Sequence, residues 1–179
     1  MPSRRIEDLV PELRPIARTL LEKCRVRGIE MRIYETLRTP IEQGKIWRQS
    51  RTREEVRAKI LEFRNAGAEF LASCIEDAGP QSGRHVTDAP PGLSWHQWGE
   101  AFDSFWVVNN EAEWSTIKKI NGKNGYRVYA EEAEQLNVTA GGLWPNFKDW
   151  PHVQLKSAKS PKAHFTITQI DAIMKERFG

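Results

Sequence analysis

Cysteine is scarce: 2 in 179 residues, Cys24 and Cys74. Neither has a second Cys or a His at ligand spacing, so no disulfide framework and no cysteine-based metal motif is implied. Two reduced, partly buried thiols are expected. No apolar run approaches the ~20 residues that a membrane span needs. The formal net charge is only +3, too small to argue for nucleic acid. There is no internal repeat, no low-complexity tract and no linker setting off a second domain. The compact zinc signature H-E-x-x-H is missing. The opening Met-Pro-Ser-Arg-Arg carries basic residues, but no apolar h-region follows, so no Sec signal peptide is read there. Synthesis in the cytoplasm and export by another route are expected.

What remains is ordinary folded composition, 39% hydrophobic and 28% charged. The length suits one domain over residues 1–179, and a monomer is expected. Apolar positions at three-and-four spacing predict an N-terminal helix within 1–28, with Ser3 as cap and a break at Pro11 and Pro15. A strand is predicted over 29–37, then a helix entered through Thr39-Pro40. A longer helix is predicted over 53–77, opened by the capping box Thr52…Glu55. Residues 78–93, rich in Pro and Gly, form a long loop. A strand follows Asp103 and ends at Asn109-Asn110. Short helices are predicted over 111–120 and 124–136, a short strand over 152–155, and a closing helix over 165–179. The class is α+β, a small antiparallel sheet flanked by helices.

Chemistry concentrates in two short runs. One is Ser94-Trp95-His96-Gln97-Trp98-Gly99-Glu100-Ala101-Phe102-Asp103, the other Asp149-Trp150-Pro151-His152. Together they offer two imidazoles and two carboxylates. A catalytic zinc needs three side chains and an open fourth position. The fourth position holds a water whose pKa the metal lowers towards neutrality. His96, Asp103 and His152 are therefore expected to hold one zinc ion, with Asp149 left as general base. If the chain turns at Gly99 and runs on as a strand, Ala101, Asp103 and Phe105 share one face. His85, in the long loop, is a candidate to face a cleft. His164 is expected at the surface or near a helix start.

The pattern Ser94-x-His96-x-x-Gly99-x-Ala101-x-Asp103, followed by Asp149-x-Pro151-His152, resembles the zinc D-alanyl-D-alanine carboxypeptidase and L-alanyl-D-glutamate endopeptidase family. The stretch Gly141-Gly142-Leu143-Trp144-Pro145-Asn146-Phe147-Lys148 leading into Asp149, and Val153-Gln154 after His152, resemble its L-alanyl-D-glutamate branch, which includes phage endolysins. Leu37-Arg38-Thr39 with Gln43 resembles the family's Arg-Ser/Thr…Gln segment. The matches run in the family's order from about residue 29 to 155. Glu100, Ser104 and Leu143 depart from the residues usual at their positions.

The resemblance implies the same zinc ligands and the same role for Asp149. It implies that Arg38 contacts substrate or the developing oxyanion, and that Gln43 braces that arginine. Ser94 is read either as a hydrogen-bond partner behind a ligand or as a turn residue. Trp98 and Trp150 either line the groove or pack. The implied function is zinc-dependent hydrolysis of peptidoglycan stem peptides, at the L-alanyl-D-glutamate bond, by a lysis protein released through a holin or by an autolysin. A D-alanyl-D-alanine carboxypeptidase or dipeptidase stays open as an alternative, as does a non-catalytic wall-binding domain stabilised by zinc. The partner implied is the peptide of peptidoglycan, with no nucleic acid.

Overall fold

The computed structural model describes residues 2–179. A 3-10 turn at Ile6–Asp8 leads into α1 (Leu13–Val26), β1 (Glu30–Glu35), α2 (Pro40–Arg48), α3 (Arg53–Asn65) and α4 (Glu69–Asp77). A 3-10 helix at Trp95–Trp98 then precedes β2 (Ala101–Val108), β3 (Glu111–Glu113), α5 (Gly125–Gln135), β4 (Thr139–Ala140), β5 (His152–Gln154) and α6 (Ile167–Phe178). The class is α+β with a small antiparallel sheet. Its contacts group the chain into two compact units.

The sheet unit holds Ser3–Leu37 and Trp98–Ser157. Its strands run in the order β1-β2-β5-β4, and β3 pairs with the end of β2. Strand alternation sends Phe102, Ser104 and Trp106 to one face of β2 and Asp103 and Phe105 to the other. The first face is covered by α1 and α5. Buried residues of α1 fall at Leu13, Ala17, Leu20 and Cys24, one stripe of an amphipathic helix. They join Phe102, Trp106, Tyr126, Tyr129 and Val153 in one apolar cluster. Burying a side chain such as Leu20 or Phe102 contributes about 1.5–3 kcal/mol. Ser104 is tolerated in this core because its Oγ accepts a hydrogen bond from Tyr129 at 3.1 Å.

The helical unit holds Arg38–Gln97 and Ala158–Gly179, with Pro2. Thr39, Thr52 and Thr166 each close a capping box on α2, α3 and α6. Helix α4 has Ala68 at its N-cap position, which offers no capping side chain. Its Leu71 N–H instead donates to Asp171 Oδ1 of α6 at 2.8 Å.

Several expected boundaries move. Helix α1 begins only at Leu13, after the 3-10 turn, and Pro11 lies in the gap between them. Ser3 does not cap it; its hydroxyl donates to the Asp8 carboxylate and accepts from Arg5 N–H. The single helix expected over 53–77 is two, because Gly67 adopts a left-handed φ of 73° and ends α3. The helix expected over 111–120 is not formed. Asn109 and Asn110 both take left-handed φ, 52° and 64°, and fold the chain back as the hairpin β2–β3.

Candidate metal centre

Strand β5 lies against the start of β2, and the register sets Asp103 opposite His152. Cross-strand neighbours of this kind point to the same face. Asp103 Oδ1 and His152 Nδ1 stand 3.0 Å apart, both residues buried. His96 lies on the 3-10 helix Trp95–Trp98 and is buried too. Gly99 then turns the chain into β2 with a φ of 71°. His96, Asp103 and His152 each present one ligand atom, and these atoms lie within 4.8 Å of one another. Donors about 2.0–2.1 Å from a tetrahedral zinc are roughly 3.3 Å apart, so one ion fits this donor set with small adjustments. It is the one such group of His, Cys, Asp and Glu among the described residues.

Burial pushes the His152 imidazole down, but the hydrogen bond and charge of Asp103, the charge of Asp149 and the contact with Gln154 outweigh it. The net result is a pKa above the ordinary histidine value. Asp149 is half-buried on the tight turn that leads into β5, closed by His152 N–H donating to Asp149 C=O at 3.1 Å. Asp149 N–H donates to Gly141 C=O at 3.1 Å. A Cβ at Gly141 would collide with the Asp149 carbonyl, so this close approach requires glycine.

Arg38 is buried, and its Nη1 donates to Gln43 Oε1 at 2.7 Å. Gln43 Nε2 donates to Ala89 C=O, and Gln43 Oε1 also accepts from Gln97 Nε2 at 2.9 Å. Gln97 Oε1 in turn accepts from Gly92 N–H at 3.0 Å and, more weakly, from Ser94 N–H. The backbone closes the circuit, since Arg38 N–H donates to His96 C=O at 3.3 Å. Gln43 thus hydrogen-bonds the Arg38 guanidinium. Ser94 serves the turn: its Oγ accepts from His96 N–H at 3.4 Å.

Other expected site residues sit differently. Trp98 is buried at 6% exposure, which makes it a packing residue. Trp150 is half-buried against the apolar cluster of its unit, beside Arg127 and Lys148. His85 is exposed and pairs with Asp88 at 3.2 Å. His164 is exposed as expected, and Thr166, not His164, caps α6. Four residues near the ligands were not singled out from sequence. Gln97 is one. Gln154 is buried and its Oε1 lies 3.0 Å from His152 Nε2. Tyr34 donates to Asp103 Oδ2 at 3.4 Å. The Trp144 ring lies 5.4 Å from the His152 ring, centroid to centroid. Tyr34 is the extra residue of a β-bulge, since Ile33 pairs Ser104 and Glu35 pairs Asp103.

A buried His-Asp-His group, set by an antiparallel strand pair and one preceding turn, defines a protein with a ready metal-binding centre. Its kinship is specific. Residues 7–138 match the model of the VanY D-alanyl-D-alanine carboxypeptidase family, and the chain belongs to that family. The matched span includes Arg38, His96 and Asp103, and ends before Asp149 and His152. The chain is 27% identical over 154 residues to the peptidoglycan L-alanyl-D-glutamate endopeptidase CwlK of Bacillus subtilis, covering 83% of this chain and 74% of that protein. It is 26% identical over 149 residues to the L-alanyl-D-glutamate peptidase of a Listeria phage, again over 83% of this chain. It spans only 38% of that phage protein's length. Among solved structures, the L-Ala D-Glu endopeptidase ChiX of Serratia marcescens aligns with a TM-score of 0.41 and 18% identity over 87% of this chain and 89% of that one. The D,D-pentapeptidase VanY of a VanB-type vancomycin resistance cassette, solved with Zn(II), aligns with a TM-score of 0.47 and 16% identity over 96% and 84%.

Proposed function

We propose that this protein is a zinc peptidase that hydrolyses the stem peptides of peptidoglycan at the L-alanyl-D-glutamate bond. The convergence of His96, Asp103 and His152 carries this reading. The family match and the two endopeptidase relatives support it. Those three side chains would hold the ion. When bound there, zinc would supply Lewis acidity to a water and to the scissile carbonyl. Asp149 takes the proton of the attacking water and hands it to the leaving amine. The Arg38 guanidinium, held in place by Gln43, is assigned to the oxygen on which negative charge grows. His96, Asp103 and His152 are buried, which limits the screening of charge there by bulk water.

The family description favours a second reading, cleavage of a terminal D-alanine. Mass spectrometry of digested muropeptides separates the two. Stem peptides released by cutting after L-alanine support the endopeptidase, and loss of a single alanine supports the carboxypeptidase. Asp149→Ala is expected to lower the rate on either substrate by 10²–10⁴-fold, about the contribution of a positioned acid–base group. An unchanged rate would remove Asp149 from the mechanism. No helix is long and apolar enough to cross a membrane among the described residues. A monomer that reaches the wall through a holin fits this reading, and gel filtration with a lysis assay in cells lacking the holin tests both parts.

A further inference from the structure

The chain holds seven tryptophans. Trp114, at 54% exposure, is the one left open to solvent; the other six are buried or half-buried. A lone exposed ring needs no explanation, but this one has company. The Phe105 ring lies 5.8 Å from it, and the Tyr34 ring 5.5 Å from it and edge-on at 78°. Tyr34 and Phe105 are themselves 6.2 Å apart. All three centroid distances fall in the range of favourable ring pairs, so each ring steadies the other two. Phe105 shares its face of β2 with Asp103. Trp114 follows Glu113, the cross-strand partner of Trp106, and so comes level with Phe105. On the other flank Phe105 faces Arg32 of β1, which is exposed and pairs with Glu30 at 2.6 Å. One face of the sheet therefore carries Asp103 and, further along, a cluster of rings with a charged rim. Tyr34 joins the two, since its hydroxyl donates to Asp103 Oδ2 at 3.4 Å.

We propose that Tyr34, Phe105 and Trp114 form a stacking subsite for an N-acetylated amino-sugar ring of the glycan strand. The inference rests on the L-alanyl-D-glutamate reading of the site, because that bond lies close to the sugar. The stem peptide begins with L-alanine, whose nitrogen is acylated by the lactyl group on the sugar. One alanyl residue and one lactyl unit of similar length thus separate the scissile carbonyl from the ring, about 7 Å when extended. On the protein, Phe105 stands two residues along β2 from Asp103, also about 7 Å. Trp114 lies one ring contact further on. The reach of the substrate and the spacing of the rings agree. A terminal D-alanine is cut several residues further from the sugar, beyond these rings. A pyranose offers flat CH faces and a polar edge. Aromatic side chains take such faces, and a few placed polar groups take the edge. The Arg32 guanidinium has donors besides the Nη2 given to Glu30 and borders the cluster on the side where that edge would lie.

The test uses the full chain supplied with zinc and two substrates that share one stem peptide. One carries the disaccharide; the other has an acetyl cap in place of the sugar. The wild type is expected to show a higher kcat/KM on the sugar-linked substrate. Trp114→Ala is expected to shrink that preference about 3–10-fold, the worth of one aromatic stacking contact. Trp114→Phe keeps a ring and is expected to keep most of the preference. A preference untouched by Trp114→Ala overturns the subsite, and so does a loss of equal size on both substrates. Thermal melts show whether the variants fold. A second measurement needs no folded Trp114→Ala: the wild type is titrated with the disaccharide alone while its indole N–H signals are followed, that of Trp114 being assigned from Trp114→Phe. The Trp114 signal is expected to move and those of the buried tryptophans to stay. A Trp114 signal that stays overturns the proposal. A wild type that cuts neither substrate after L-alanine sinks the bond assignment instead, and the sugar titration then decides the subsite by itself.

Discussion

Gln43 shows how much of this site hangs on an uncharged side chain. One amide oxygen accepts from the Arg38 guanidinium and from Gln97, while its nitrogen anchors on Ala89 C=O. Replacing it with a shape-matched apolar residue removes three buried hydrogen bonds. Gln43→Leu is expected to destabilise the fold by about 1–3 kcal/mol in urea melts and to lower the muropeptide rate with it. A variant that loses the rate and keeps its stability would place Gln43 in the chemistry and not in the scaffold. The four residues proposed to carry the reaction, His96, Asp103, Asp149 and His152, were legible in the sequence because each lies in a run that resembles the family's motifs. Gln97, Gln154 and Tyr34 were not. A glutamine or tyrosine carries no signal of its own, and its meaning comes from the partner that folding brings to it.

At the scale of elements, helix starts show the same division. Thr39, Thr52 and Thr166 announce their helices, since a capping box is local and its residues lie three apart. Helix α4 gives no such signal. Its start is held by Asp171, 100 positions away in sequence from Leu71. The run 66–68 also hides the break, because a lone glycine interrupts a helical pattern without ending it on paper. Asp171→Ala should strip the Leu71 N–H of that acceptor and cost about 1–3 kcal/mol, read as a lower thermal midpoint. Its carboxyl is pushed up by burial, against the pull of the Leu71 and Phe70 N–H groups. The folded state therefore binds this proton more tightly than the unfolded chain does. That contribution is fully present below the ordinary aspartate range and is lost as pH rises through the raised folded value. Asp171→Asn should accordingly flatten the fall in stability on that rise, and an unaltered pH profile would show that burial there is weaker than the structure implies. The hairpin was missed for a simpler reason. Glu-Ala-Glu has no apolar alternation, and only the paired asparagines before it carry the turn.

Over the whole molecule, the two cysteines fall one in each unit, Cys24 on α1 and Cys74 on α4. Both are free and buried, and burial pushes each thiol up to about 12. At pH 8 neither should carry appreciable thiolate, the reactive form. The native protein is expected to resist thiol reagents and the denatured one to react at both positions. Labelling resolved by peptide mass then tracks the opening of each unit separately. Rapid labelling of either cysteine in the native state would contradict the burial seen here. The scarcity of cysteine thus matches two inert, buried thiols.

The bulge at Tyr34 acts as a phase shift in the strand. Met31, ahead of it, is an odd-numbered buried position; Thr36, just beyond the strand, is an even-numbered one. Cutting out that single residue would restore an uninterrupted ladder and at the same time reverse the parity of the positions just beyond it, turning Thr36 away from the buried side. A lineage tinkering by one-codon insertions and deletions would find few quieter edits to the strand, and this one also removes the hydroxyl that donates to Asp103.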